Sequence, residues 1–243
     1  MAEIQITETK NKRTAVADGE IFYSNGTSEK IEYGTAEIAV RAYMANNDVV
    51  RAVLPESVEK INDSAFFHCL NLESVTLPES ISEICFSAFS NCTSLKSIRL
   101  PSFLKKIGSF AFGSTPITEI YIPDTVEEIE SYAFFSCVEL KKIYLPASVK
   151  IIDDSAFSHC TVAAVYYAGS EADWYGINAE TVYNSAPSEI FSSADIHFNC
   201  TREQYETAKA PEARSTEAKK EEVQKAQNNI FKTIKNFLQK NKS

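Results

Sequence analysis

Apolar residues keep a fixed clock through the middle of the chain. Leu72, Val75 and Leu77 mark a short alternating strand, and Pro78, which has no N–H to donate, ends it. Ile81 and Ile84 bring the chain back across the other side, and Ala88-Phe89 and Cys92 close the circuit. The strand pattern returns as Leu95/Ile98/Leu100, Ile117/Ile120/Ile122, Leu140/Ile143/Leu145 and Val162/Val165/Tyr167. The return pair is matched by Val58/Ile61, Leu104/Ile107, Val126/Ile129 and Val149/Ile152. Ala65-Phe66, Ala88-Phe89, Ala111-Phe112, Ala133-Phe134 and Ala156-Phe157 recur every 22 or 23 residues. So short a period marks a stacked array whose units cannot bury their apolar faces alone. Each unit predicts a strand, a proline turn, a return crossing and a tight helical turn. In that turn Ala allows close approach while Phe and Cys fill the interior.

Counting back 23 residues reaches Ile38, Ala42-Tyr43 and Val49, so a degenerate unit precedes the first obvious one. Residues 14–33, with Ile21-Phe22-Tyr23 and an Asn25-Gly26 turn signal, predict a capping hairpin. The two 22-residue spacings place one-residue deletions after Thr115 and Cys160, in the turn before the strand. Thr201-Arg202-Glu203-Gln204 fits a capping box that opens a short helix, interrupted at Pro211. From about Thr216 the composition is helical, and Ile230, Phe231, Ile234, Phe237 and Leu238 form one apolar stripe.

Charge divides the chain in two. Residues 1–200 hold 14 Lys/Arg against 27 Asp/Glu, or −13, whereas residues 201–243 hold 10 against 6, or +4. The acidic body excludes nucleic acid as a partner, since counterion release needs cations. No apolar run is long enough to span a bilayer. The polar, acidic start Met1-Ala2-Glu3-Ile4 has no apolar h-region, so cytoplasmic residence is the expectation. Four of six cysteines (Cys69, Cys92, Cys137, Cys160) share one repeat position, with Thr115 in the remaining unit, and read as a buried ladder rather than a disulfide framework.

That register also disposes of the tempting chemistry. His68-Cys69 and His159-Cys160 lie four units apart, roughly 19 Å at the spacing of stacked strands, and each cysteine fills an interior slot. The Thr115 layer splits the ladder cysteines into pairs, which no tetrahedral zinc site tolerates. No catalytic, metal or cofactor site is expected. Trp174 is expected to anchor a cap.

Strand alternation turns residues 74 and 76 outward and places Val53, Thr76, Arg99, Tyr121, Tyr144 and Tyr166 in one column. Arg99, Tyr121, Tyr144 and Tyr166 have the composition of a protein-binding hot spot. The competing reading is equally physical: cross-strand aromatic pairs stabilise a sheet without any partner. Phe67, Phe86, Phe103 and Phe135 form a weaker second patch. The basic apolar stripe of the tail can lie on an anionic membrane surface, bind an acidic partner, or dock on its own solenoid or a second copy.

The unit Leu-x-x-Ile-x-Leu-Pro-x-x-Val-x-x-Ile-x-x-x-Ala-Phe-x-x-Cys resembles the BspA-type leucine-rich repeat, over roughly residues 31–200. Val165-Tyr166-Tyr167-Ala168-Gly169-Ser170 with Trp174 and Ile177, and Asp195-Ile196-His197-Phe198-Asn199, resemble the closing repeat and last strand of its bacterial members. The resemblance implies a curved α+β solenoid of short parallel strands used for binding, often at cell surfaces and in adhesion. The expected organisation is an N-terminal segment and cap hairpin (1–30), the solenoid (31–200) and a basic amphipathic helical tail (201–243). The expected function is non-enzymatic protein binding through the exposed sheet face, the alternative a surface adhesin.

Overall fold

The computed structural model describes residues 17–178 and 187–208. The stripe Ile230, Phe231, Ile234, Phe237 and Leu238 lies outside them. A hairpin of β1 (Gly19–Tyr23) and β2 (Ser28–Ile31) leads into the coils. The coils contribute β3 (Glu37–Ile38), β4 (Val49–Val53), β5 (Lys60–Ile61), β6 (Ser74–Thr76), β7 (Glu83–Ile84) and β8 (Lys106–Ile107). They continue with β9 (Glu119–Tyr121), β10 (Glu128–Ile129), β11 (Lys142–Leu145), β12 (Ile151–Ile152) and β13 (Ala164–Tyr167). The chain then runs through α1 (Glu171–Gly176), α2 (Pro187–Ile190), β14 (Asp195–His197) and α3 (Arg202–Thr207).

Each coil has three sides, and one of them is a second sheet. The return pairs form two-residue strands in the order β12-β10-β8-β7-β5-β3. Their first residues pair as Glu37, Lys60, Glu83, Lys106 and Glu128, an alternating charge ladder. Lys60–Glu83 closes at 3.0 Å, and Lys106 turns to Glu130 at 2.9 Å. Such exposed pairs are worth about 0–1 kcal/mol each, and a slip of one coil would set like charges against each other.

The Ala-Phe side is not helical. Its residues make turns in which alternate N–H groups bond within the coil, as Ala65 N to Asn62 O and Phe67 N to Ser64 O. The others donate forward to the next coil: Ser64 N to Phe86 O, Phe66 N to Ala88 O and His68 N to Ser90 O. This alternation requires two left-handed residues per turn, here Ser64 (φ 57) and His68 (φ 61). The pair recurs as Ser87/Asn91, Phe110/Ser114 and Tyr132/Ser136. Left-handed backbone costs an L-residue about 1–2 kcal/mol, offset here by satisfied main-chain groups. A helix would leave those groups facing away from the neighbouring coil.

Inside, Tyr43, Phe66, Phe89, Phe112, Phe134 and Phe157 stack in one column at 5.1, 5.3, 5.6, 5.4 and 5.1 Å between successive ring centroids. The four central phenylalanines are fully buried. Beside them each ladder thiol donates to a carbonyl of the preceding coil: Cys69 to Tyr43 O, Cys92 to Phe66 O, Cys137 to Phe112 O and Cys160 to Phe134 O. Thr115 instead donates to Phe112 O in its own coil. Burial pushes the Cys69 thiol up to about 11 and raises Cys92 as well, so these thiols are poor nucleophiles.

Both ends of the stack are closed. β1 pairs antiparallel with β4 and covers the first long strand. At the other end Trp174 packs on Tyr167, Phe191 and Phe198. The Asn178 side chain imitates a further strand: Ile152 N–H donates to its Oδ1 and its Nδ2 donates to Ile152 O, both at 2.8 Å.

A candidate interaction face on the long-strand sheet

The long strands do not form one continuous sheet. β2-β1-β4-β6 and β14-β13-β11-β9 are separate four-stranded sheets. The expected strand over Leu95/Ile98/Leu100 is absent, and residues 95–100 make no ladder bonds to β6 or β9. The gap is not a failure of strand entry, since Leu95 N–H donates to Cys92 O just as Leu72 N–H donates to Cys69 O and Leu140 N–H to Cys137 O. The Phe89–Phe112 layer, at 5.6 Å, is also the widest in the aromatic column. Arg99 therefore occupies its column position on non-strand backbone, and its guanidinium reaches Glu79 at 3.1 Å.

Beyond the gap the tyrosines stand in register. Tyr121 pairs with Tyr144, Tyr144 with Tyr166, and Tyr166 with His197. The Tyr121 and Tyr144 rings stack at 4.4 Å, and Tyr166 stacks on His197 at 4.7 Å. Tyr121 and Tyr166 are half-buried, but Tyr144 is only 4% exposed. Its cover is α3. The Tyr205 ring lies 5.9, 5.8 and 5.8 Å from Tyr121, Tyr144 and Tyr166, tilted to the first and edge-on to the other two. Burial raises Tyr121, Tyr144 and Tyr205 above the ordinary phenol range, so all three stay neutral hydrogen-bonding groups at physiological pH.

A lysine fixes that cover. Lys142 is 3% exposed. Its Nζ donates to Tyr205 O and Ala208 O at 3.0 Å each and pairs with Glu119 at 2.8 Å. The same cation lies 4.3 Å from the Tyr205 ring centroid. Arg202 places its guanidinium 4.9 Å from the Tyr121 ring centroid and bonds Glu206. Arg99, Tyr121, Asp124, Arg202, Tyr205 and Glu206 line a shallow groove between α3 and the sheet gap. It thus brings Arg99 and Tyr121 to one wall, places Tyr144 under Tyr205, and leaves Tyr166 at the His197 end.

Sequence reasoning missed Lys142, His197 and Tyr205. His197 was within reach, because continuing the strand alignment to Asp195-Ile196-His197 puts it after Tyr166 in the column. The capping box locates α3, and Thr201 does accept from Gln204 N–H, but nothing local states where the helix packs. The second aromatic patch is rearranged. Phe86 and Phe103 are exposed, Phe135 is buried, and Phe110 and Tyr132 stack at 4.6 Å between Phe86 and Phe135.

Parallel strands, short turns and one interior aromatic column define a β-solenoid of about six coils with little helix. A family model for the BspA type leucine rich repeat region matches six copies over residues 36–164. The chain belongs to that family. Among solved structures it is similar to a leucine-rich repeat protein from Bacteroides ovatus, at 26% identity and a TM-score of 0.44, covering 60% of this chain and 49% of that one. It is also similar to the T. pallidum leucine rich repeat protein, at 28% identity and 0.53, covering 67% and 80%. The pneumococcal vaccine antigen PcpA shares the fold at 22% identity and 0.55, covering 69% of this chain and 40% of that chain. The match thus spans under half of the Bacteroides and pneumococcal chains. No curated protein matches the chain significantly. The family suggests an interaction or surface scaffold and indicates no catalytic class.

Proposed function

We propose that this protein is a non-enzymatic scaffold that binds a protein partner through the long-strand face, with Arg99, Tyr121, Tyr144 and Tyr166 as its recognition residues. The observation that carries this reading is the register of Tyr121, Tyr144 and Tyr166 on adjacent strands, ending in His197. No core requirement places aromatic residues on the outward side of three consecutive coils, and tyrosine suits a contact with one apolar and one polar end. The basic stripe from Ile230 to Leu238 is proposed as a second attachment point, to a membrane surface, an acidic partner or a second copy. Family membership keeps a surface adhesin as the alternative setting for the same face.

The test compares partners retained by the intact protein and by Arg99→Ala/Tyr121→Ala, followed by calorimetry with each purified partner. A loss of about 2 kcal/mol is expected for hot-spot residues. Equal affinities would move the site to another surface.

A further inference from the structure

The face proposed above already carries an occupant supplied by the chain itself. α3 follows the closing strand β14 and adds no coil to the stack. At six residues it is too short to be stable alone, so its contacts hold it. Those contacts are the ones a bound peptide would make. An aromatic side chain meets three tyrosine rings, and two carbonyls at the C-terminal end of the helix meet a buried lysine. The entry segment is compact as well: Asn199 is left-handed at φ 56, and Thr201 caps the helix.

Lys142 is the informative member. A lysine buried on the outward side of a strand gives nothing to the core and must keep its charge hydrogen-bonded. Glu119 meets one of its three donors, and the carbonyls of Tyr205 and Ala208 meet the others. The residues paired with Lys142 are Glu119 and Ala164, so the face holds one cation beside an aromatic seat. A cation at a helix C-terminus is favourable for any helix that presents its carbonyls there. The face is therefore selective for a helical turn arriving in one orientation.

We propose that the face of β9, β11, β13 and β14 recognises a short helical segment with an aromatic residue in its last turn, and that α3 is a built-in competitor for that seat. The partner's ring takes the place of Tyr205 among Tyr121, Tyr144 and Tyr166, and its C-terminal carbonyls take Lys142. This rests on the functional reading above and adds the partner's chemistry and a condition for binding: α3 leaves first.

The probe is a capped synthetic peptide of residues 198–208, titrated by calorimetry into the full chain. Tyr205→Ala removes the internal competitor, so the peptide is expected to bind that variant about ten-fold or more tighter than wild type. The gain should vanish in Tyr121→Ala/Tyr205→Ala and with a peptide whose tyrosine is alanine. Equal binding to both chains, or none to a Tyr205→Ala chain with a wild-type circular dichroism spectrum, would overturn the proposal. Hydrogen exchange on the wild-type chain is the second reading. α3 amides should open at lower free energy than β11 amides, and their joint opening only on global unfolding would make α3 an integral cap and overturn the proposal. Sedimentation checks the remaining occupant: a wild-type dimer that the peptide dissociates would assign the seat to a second copy. Since the peptide reads displacement of α3 and the natural partner reads the face, the two proposals fail separately.

Discussion

Phe112→Ala tests the physical basis of the stack most directly. Phe112 is fully buried, with Phe89 at 5.6 Å on one side and Phe134 at 5.4 Å on the other. Truncating a buried Phe costs about 3–5 kcal/mol, the range reflecting how far the site can collapse. Collapse is restricted here. Phe112 N–H donates to Ala133 O at 2.8 Å and Phe89 N–H donates to Ala111 O at 2.8 Å, which pins the turn between its neighbours. Two ring contacts of about 0.5–1.5 kcal/mol each disappear with the side chain. The expected loss is therefore near the upper half of the range, about 4 kcal/mol. Phe157, 5% exposed, has one parallel neighbour in Phe134 and a tilted one in Phe191, so its truncation should cost about 3 kcal/mol. Guanidinium melts followed by circular dichroism give both values. The central substitution should also lower the apparent m-value, because it weakens the coupling between two halves of a one-dimensional array. A loss below about 1.5 kcal/mol with an unchanged slope would show that the column is not what joins the coils.

Further outcomes follow from single contacts. A Cβ at Gly108 would lie 2.8 Å from the carbonyl carbon of Cys85 and 3.1 Å from Ile84 O, so Gly108→Ala should destabilise by about 2 kcal/mol or more, read as a lower melting temperature. Thr115→Val removes a donor to Phe112 O, but Cys137 still serves that carbonyl at 3.1 Å, so the loss should stay near 1 kcal/mol. The Glu130 carboxyl, although raised by burial, is held below its ordinary value overall by bonds from Lys106 and Ser109. A depressed folded-state pKa gives stability present above about pH 4.5 and lost as pH falls through the folded value. Glu130→Gln should flatten the acid limb of the stability profile there, and an unchanged limb would assign it to other carboxylates.

The period was legible because burial imposes it. A column of phenylalanines and a row of thiols each need one residue type at one position, and that repetition is visible without coordinates. What the period hides is direction within the turn. Ala-Phe-x-x-Cys has the spacing of a helical turn, yet Ser64 and His68 take left-handed backbone because inter-coil bonds reward it. The charge ladder Glu37, Lys60, Glu83, Lys106 and Glu128 follows the same 22- or 23-residue clock and was readable, had the residue before each return isoleucine been aligned. The missing strand at 95–100 was not, since Leu95, Ile98 and Leu100 fit the pattern of the strands that do form. The cover on Tyr144 is a contact between residues 61 positions apart, set by where a cap happens to end rather than by any local pattern.

The forward-pointing bonds give the turn side of the array an electrical polarity. Each coil aims alternate N–H groups toward the following coil and receives none from it in return on that side, so their peptide dipoles add along the stack. The sense is the reverse of an α-helix: carbonyls end the column at the first coil, and N–H groups end it at the last. In the last turn Ser155 N–H is met by the Asp153 carboxylate at 2.9 Å. On the return side the bonds run the other way, as Cys85 N–H to Ile61 O and Gly108 N–H to Ile84 O, so the row of left-handed residues sets two sides of one coil against each other electrically.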